Sequence, residues 1–415
     1  MSKLDELIRE LCPDGVEFAP FVKDCQYIRG ITYNKGQEAK NGDVEPWKVF
    51  RANNITLSTN TLNFDDIKLV KKEVKVKPNQ MLKKEDILIC AGSGSKEHIG
   101  KVAYIDSDMD YTFGGFMAVI RCGNRINSRF LFHVLTSELF LGYLSRALNT
   151  ATINNLNSEI MSNFIIPVPP IEVQSEIVRI LDNFTELTAE LTAELTARKL
   201  QYEYYRDELL TFGDDVEWLP LGTVFNIRNG YTPSKANDEF WDGGTIPWFR
   251  MEDIRKSGRF LYDALQHITP AAVKRGGLLP KNSLIVSTTA TIGEHAMLKT
   301  AGLTNQQITN CALKDEYLDK VNPQFAFYYF FKLGEWCKEN INQGGGLAII
   351  GTEKIKQFLF PVPCMEEQNR IANILDRFDV LCNDISAGLP AEIAARQKQY
   401  EYYRDKLLTF KEVGR

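Results

Sequence analysis

Ala91-Gly-Ser-Gly-Ser-Lys96 sets two glycines and a lysine where a phosphate could be cradled. A phosphate loop, however, needs four residues between its glycines and Ser or Thr after the lysine, because successive backbone N–H groups wrap the phosphate and the hydroxyl holds a metal ion. Here Glu97 and His98 follow the lysine, so the segment reads as a turn at a strand end. Asp65 with Glu73-Val-Lys75 has the order of an acidic metal site for phosphodiester hydrolysis, but it lies in a Lys-rich alternating segment that reads as an edge strand. Asn322-Pro-Gln-Phe325 approaches the Asn-Pro-Pro-Tyr/Phe signature of amino-group methylation without its second proline, and no Gly-rich cofactor loop follows a strand elsewhere. Asn322 is expected to cap a helix instead. His98, His133, His267 and His295 are scattered without metal-ligand spacing. No catalytic, cofactor or metal site is legible, and the chain is expected to have no turnover of its own.

The 415 residues suffice for two or three domains, and 44% hydrophobic with 25% charged residues is ordinary for a soluble protein. No apolar run approaches a membrane span, and the N-terminus lacks a signal-peptide core, so a cytoplasmic protein without membrane association is expected. Eight cysteines form no CxxC pair and no regular framework, which predicts thiols in a reducing compartment and no disulfide. A net charge of −5 argues against a stand-alone nucleic-acid binder, which is usually basic.

The strongest signal is a repeat. Gln-Tyr-Glu-Tyr-Tyr-Arg-Asp occurs at 201–207 and at 399–405, and the copies stay in step upstream: Pro167-Val-Pro169 answers Pro361-Val-Pro363, Gln174 answers Gln368, and Ile180-Leu-Asp182 answers Ile374-Leu-Asp376. Two similar half-molecules are implied. From 171 to 211 there is no Gly or Pro, and apolar residues recur in steps of three, four and seven at Ile177, Leu181, Phe184, Leu187, Leu191, Leu195, Tyr202, Tyr205 and Leu209. At ~1.5 Å per residue this predicts a helical rod about 60 Å long. Its twin over 366–410 is the expected antiparallel partner, broken or kinked at Gly388 and Pro390. Leu4-Asp-Glu-Leu-Ile8 is similar to the end of the first rod, Arg206-Asp-Glu-Leu-Leu210, so the two chain ends are expected to meet in space.

Between these helical parts lie two globular blocks of α+β texture. The expected organisation is an N-terminal helical piece at 1–15, a first block at 16–166, a central spacer at 167–212, a second block at 213–360 and a C-terminal spacer at 361–415. Strands are predicted at Ile87-Leu-Ile-Cys90, Val102-Ala-Tyr-Ile105 and Phe116-Met-Ala-Val-Ile120, then a helical stretch over 128–148. The second block repeats the order with Ser283-Leu-Ile-Val286, Asn310-Cys-Ala-Leu313 and a helix over 323–340. Glu45-Pro-Trp47 and Ile246-Pro-Trp248 look like matching landmarks.

At this point the chain resembles the specificity (S) subunits of type I restriction-modification systems. The resemblance rests on the motif Pro-x-Pro-x4-Gln-x2-Ile-x3-Leu-Asp, present from Pro167 to Asp182 and from Pro361 to Asp376, and on Gly230-Tyr-Thr-Pro-Ser234, Phe240-Trp241, Ile246-Pro-Trp248 and Thr304-Asn-Gln-Gln307. The tetrapeptide Thr-Ala-Glu-Leu at 188–191 and 192–195 is similar to a spacer repeat of one branch of the family, whereas Thr112-Phe-Gly-Gly115 departs from the Asn-Gln-Gln phrase. The resemblance implies a non-catalytic reader of double-stranded DNA, with two target-recognition domains alternating with two helical spacers. It further implies that two methyltransferase (modification) subunits bind the helices, that restriction (motor and nuclease) subunits join them, and that the target is two half-sites around an unspecified gap. Partner subunits would then supply much of the phosphate neutralisation, which answers the acidic charge. The other readings are a solitary methyltransferase or nuclease, disfavoured by the missing motifs, and a coiled-coil adaptor without a DNA role, which leaves the two blocks unexplained.

Under that reading the base-contacting residues are polar or cationic loop side chains. The candidates are Tyr33, Lys35, Arg51, Asn53, Asn54, Ser93, Ser95 and Lys96 in the first block. In the second they are Tyr231, Ser234, Lys235, Arg250, Glu252, Asp253, Thr288, Thr289, Asn305, Gln306 and Gln307. Arg to guanine and Asn or Gln to adenine are the productive pairings, each worth about 1–3 kcal/mol of discrimination. Trp241 and Trp248 read as core.

Overall fold

The structure is a computed structural model that describes residues 3–40, 45–149, 155–341, 348–384 and 387–414, apart from the side chains of Lys96 and Asn149. The chain divides into two compact units, 1–192 with 392–415, and 193–391. Each holds one α+β block and part of the helical material.

In the first unit the central sheet is antiparallel, ordered Cys25–Arg29, Met117–Cys122, Ile87–Cys90, Val102–Tyr104. All four residues of Ile87–Cys90 are buried, which period-2 geometry explains. Ile87 and Ile89 face a core shared with the helix Ser128–Leu135, while Leu88 and Cys90 face a second core with Phe50, Phe113 and Val119. A smaller sheet lies beyond it, ordered Lys68–Val70, Trp47–Phe50, Thr112–Phe113, the last pair parallel. Of the Lys-rich segment only Lys68–Val70 is an edge strand, while Asp65 and Glu73-Val-Lys75 lie in turns and coil outside it; part of the segment's charge is spent within the fold, where Lys68 pairs with Glu38 at 2.6 Å and Lys72 sits 3.3 Å over the Trp47 ring. Cys25 and Cys122 lie opposite one another with Sγ atoms 3.6 Å apart, both as thiols, a proximity no linear spacing could reveal.

The second unit repeats this plan. Its main sheet runs Phe225–Asn229, Ile308–Leu313, Leu284–Ser287, His295–Leu298, Phe260–Leu261, and its smaller one His267–Ile268, Ile246–Phe249, Leu303–Thr304. Asn322 caps the helix Pro323–Glu339, as its sequence predicts, by accepting from the Gln324 N–H at 2.7 Å. In the first unit the corresponding helical stretch is two helices, Ser128–Leu135 and Glu138–Asn149. They part where the Thr136 and Ser137 hydroxyls donate back to the His133 and Val134 carbonyls, competing with the helical ladder.

The first rod is one helix, Ile171–Leu209. The second is two, Met365–Asn383 and Leu389–Leu407. Gly388 is required between them, since a Cβ there would stand 2.3 Å from the Val380 carbonyl oxygen. Within the first unit Phe184, near the start of the first rod, stacks on Tyr403, near the end of the second, at 5.5 Å. Within the second unit Tyr202 and Tyr205, near the end of the first rod, lie 6.3 and 6.0 Å from Phe378, in the first half of the second. The rods are therefore antiparallel. Ile177, Leu181 and Tyr202 are buried, whereas Leu187, Leu191 and Leu195 are only half-buried, Leu195 packing against the core of the second unit. The chain ends meet as expected: the Val16 N–H donates to the Lys411 carbonyl at 2.8 Å and the Val413 N–H to that of Val16 at 3.1 Å.

Candidate nucleic-acid interface

The repeated entry motif is a docking device. Gln174 is wholly buried; its Oε1 accepts from the Asn127 N–H at 2.8 Å and its Nε2 donates to the Arg125 and Pro169 carbonyls at 2.9 and 2.7 Å. Gln368 makes the same three bonds, from Asn322 and to Lys320 and Pro363, each at 2.8 Å. Eight residues on, Asp182 accepts from Arg129 Nε at 2.9 Å and lies 3.0 Å from His133 Nε2, while Asp376 accepts from Gln324 Nε2 at 2.7 Å and from the Tyr328 hydroxyl at 2.6 Å. Burial holds the His133 imidazole below its ordinary range. Burial also opposes charge on Asp182, but the hydrogen bond from His133 and the charge of Arg129 outweigh it and keep the carboxyl below its usual value. Motif and rod thus fix the orientation of each block. The Asp182–His133–Tyr400 chain was not legible in the sequence, although the Leu-Asp shared by both copies marked one of its members.

In each block three loops meet at one edge of the central sheet. Gly30 N–H donates to the Met117 carbonyl and Ile31 N–H to that of Phe113; in the second block Gly230 and Tyr231 donate to Ile308 and Thr304. Only glycine fits this approach, since a Cβ on Gly30 or Gly230 would lie 2.3 or 2.2 Å from a facing carbonyl oxygen. The third loop is held alike. Ala91 and Gly92 donate to the Phe116 carbonyl, and the Thr288 N–H and hydroxyl donate to that of Gln307. Gly114-Gly115-Phe116 is therefore the counterpart of Asn305-Gln306-Gln307. The sequence places Phe116 inside a strand, but the strand starts at Met117 and leaves this ring exposed in the loop. The Pro-Trp landmarks do not match as their sequences suggest. Val49 and Phe50 pair with Thr112 and Phe113 as Trp248 and Phe249 pair with Leu303 and Thr304, so Trp248 answers Val49 and not Trp47. Trp248 is core, and Trp241 packs against it edge to face at 5.1 Å.

The candidate side chains divide by burial. Asn54 and Asp253 have no exposed surface. Each accepts from the backbone N–H three residues earlier, Arg51 at 2.9 Å and Arg250 at 2.7 Å; Asn54 also donates to the Asp65 carbonyl, and Asp253 accepts from the Leu265 N–H. Thr288 and Asn305 are likewise buried and hold the Gln307 backbone. These four shape the loops and form no part of the outer surface. Lys35, Asn53, Ser234, Lys235, Glu252, Gln306 and Gln307 are exposed, and Tyr33, Arg51, Ser93, Ser95, Tyr231, Arg250 and Thr289 are partly so. The side chain of Lys96 lies outside the described residues. Arg51 and Arg250 each end in an ion pair with a neighbouring carboxylate, Asp66 at 2.7 Å and Glu252 at 3.0 Å; Asn53 also reaches Asp66. The Tyr231 hydroxyl donates to the Ala272 carbonyl and accepts from the Lys274 N–H, with the Lys274 ammonium over its ring. Gln306 accepts from Thr232, and Gln307 from the Asn305 amide at 3.3 Å. A cleft of about 710 Å³ between the sheet and the rod's first turns in the first unit, lined among others by Lys83, Arg121, Arg129 and Asp182, shares none of these residues. Among the described residues no three His, Cys, Asp or Glu side chains converge as a metal site, and no helix is long and apolar enough to cross a membrane.

Two scaffolds with matching loops and motifs make the comparison with known proteins decisive. The sequence pattern of the type I restriction modification DNA specificity domain matches twice, over residues 23–198 and 213–395. The chain belongs to that family. Over 212 residues it is 50% identical to the type I restriction enzyme EcoprrI specificity subunit of Escherichia coli, and over 256 residues 43% identical to the EcoR124I/EcoR124II specificity subunit of the same organism. These matches take in 49% and 59% of this chain and span 53% and 61% of those relatives' lengths. A putative type I specificity subunit of Haemophilus influenzae, S.HindORF215P, is 30% identical over 75% of this chain and 81% of its own. The fold matches a chain from a solved type I R-M system with a TM-score of 0.63 at 16% identity, covering 95% of this chain and 98% of that one. It also matches the S subunit from M. genitalium with a TM-score of 0.53 at 12% identity, over 95% and 96% of the two chains.

Proposed function

We propose that this chain is the DNA-reading, non-catalytic subunit of a type I restriction-modification assembly and that each block reads one half of a bipartite target. The observation that carries the reading is a contrast between what differs and what is identical. The two blocks share the order of four main-sheet strands, loop anchors and docking glutamines, yet the loop at 114–116 is Gly-Gly-Phe and its counterpart at 305–307 is Asn-Gln-Gln. A scaffold kept constant while its outer side chains change is what reading two different base sequences requires. The reading residues are then Tyr33, Lys35, Arg51, Asn53, Ser93, Ser95 and Lys96 for one half-site. For the other they are Tyr231, Ser234, Lys235, Arg250, Glu252, Thr289, Gln306 and Gln307, with Asn54, Asp253, Thr288 and Asn305 holding the loops.

The rods show the opposite pattern. Tyr204 and Tyr402 occupy the same place in the repeated heptapeptide, are 65% and 62% exposed, and pack edge-on against the next tyrosine at 5.4 and 5.3 Å. That neighbouring ring alone does not explain why so exposed a surface is identical in both halves. Two copies of one partner, the methyltransferase subunit, account for it, with restriction subunits joining that complex in the cytoplasm. Selection from a random double-stranded DNA pool by the chain with its methyltransferase partner tests the proposal. Two short sequence blocks separated by a fixed unspecified gap are expected; a single uninterrupted consensus, or no enrichment, would refute it.

A further inference from the structure

Phe116 is 73% exposed, more than any other large apolar side chain among the described residues. Its backbone, by contrast, is fixed on every side. The Phe116 carbonyl accepts from Ala91 and Gly92 at 2.8 and 2.9 Å, Gly114 N–H donates to the Phe50 carbonyl at 3.0 Å, and Arg29 donates to the Gly115 carbonyl at 2.7 Å. A Cβ on Gly115 would sit 3.2 Å from the Thr32 hydroxyl, so the loop is held tightly against its neighbour. The ring is thus presented to solvent by a tightly held loop, beside the Ala91-Gly92 turn that Ser93 and Ser95 continue. Water around such a ring is a standing cost unless something apolar covers it.

The position decides what covers it. Phe116 is the counterpart of Gln307, held by the same carbonyl anchor at the same corner of the same three-loop surface. A glutamine there offers a donor and an acceptor, the pair that matches adenine in the major groove. A phenylalanine offers neither. The one apolar group on a base edge in that groove is the 5-methyl of thymine, and an aromatic ring is among the side chains that contact it. We infer that Phe116 is a specificity-determining residue of the first block that recognises a thymine through its 5-methyl group, where the second block uses Gln307 to read a hydrogen-bonding edge. This inference rests on the DNA-reading function proposed above.

The test uses the chain in complex with its methyltransferase partner and the target found by selection. Deoxyuridine replaces each thymine of the first half-site in turn, which removes only the methyl group. One such replacement is expected to weaken binding ~10-fold for the wild-type chain and not at all for Phe116→Ala, with Phe116→Met retaining part of the discrimination. Phe116→Ala should leave the thermal midpoint unchanged, since the side chain is largely exposed. If every deoxyuridine target binds the wild-type chain as well as its thymine parent, or if Phe116→Ala stays as sensitive to the replacement as wild type, the thymine assignment is wrong. A loss of affinity in Phe116→Ala that is equal for all sequences would instead mark a wedge between base steps, and also overturns it. Failure of the complex to select any target would remove the functional reading itself, which makes the two failures distinguishable.

Discussion

Gln174 and Gln368, 194 positions apart, make the same three hydrogen bonds to the backbone at the foot of their respective blocks, and neither has any exposed surface. One carboxamide closes the loop before a capped helix, the carbonyl of the Pro-rich entry strand and the first turn of the rod. The sequence motif is therefore a joint. Its two copies set the angle at which each block leaves its rod.

Gln174→Met or Gln368→Met keeps the volume and strands one buried N–H and two buried carbonyls. With about 1–3 kcal/mol lost per unsatisfied buried group and partial relaxation, each variant is expected to lose about 2–5 kcal/mol in urea unfolding. Glu203→Ala, exposed on the rod, is expected to stay within ~0.5 kcal/mol of wild type. Equal, small losses for all three would show that these bonds do not hold the joint.

The rods, the joint and the α+β order were legible because they repeat and because period 3.6 and period 2 survive in the residue pattern. The loops were legible only as loops. Asn54 and Asp253 have the side chains of base readers, but a position four residues after the end of a strand lets a short carboxamide or carboxylate close the turn backbone, and there each is buried. Trp47 and Trp248 share a Pro-Trp dipeptide yet differ by two in register, because the parallel pairing to Thr112-Phe113 and Leu303-Thr304 fixes Phe50 against Phe249. Such long-range pairing leaves no trace in local sequence. The apolar character of Phe116 places it in the strand, whereas the Gly114-Gly115 pair before it is the better guide.

A loss of stability between pH 7 and pH 5 is expected from His295, which is buried among Phe327, Phe330 and Phe331. Burial, reinforced by the charge of Arg259, lowers its pKa from the ordinary 6.5 to about 3. The folded protein keeps the ring neutral while the unfolded chain takes up the proton, so stability declines as pH falls from about 6.5 toward 3. His133, also depressed by burial, adds in the same direction. Urea midpoints at pH 7 and pH 5 should therefore differ for wild type and differ less for His295→Phe. An undiminished difference in the variant would rule out His295 as the source.

Partner stoichiometry probes the repeated tyrosines. If two methyltransferase subunits bind through these tyrosines as proposed, Tyr204→Ala or Tyr402→Ala alone is expected to reduce the copies bound per chain from two to one by native mass spectrometry, and the double variant to abolish binding, without loss of fold. Two copies retained by the double variant would place the partner elsewhere.

The length of the first rod should set the gap between half-sites. The offset between halves is 194 at Pro167 and Pro361 but 198 at Tyr202 and Tyr400, so the first rod is one tetrapeptide shorter. The change between compact units at 192/193 falls inside the Thr-Ala-Glu-Leu pair. One more Thr-Ala-Glu-Leu after Leu195 would add ~6 Å and rotate the remainder of the helix by about 40°. Both half-sites are expected to persist with a longer gap between them, as read by mapping methylated sites; an unchanged gap would mean that this rod does not set the spacing.

If each block reads its own half-site, exchanging one block must change one half-site alone. Residues 16–166 are replaced by the corresponding block of another specificity-family chain with a different target, and methylated sites are mapped in cells that also carry the methyltransferase partner. One half-site is expected to change to that of the donor while the other half-site and the gap stay as they were. A change in both half-sites, or in neither, would contradict independent reading by the two blocks.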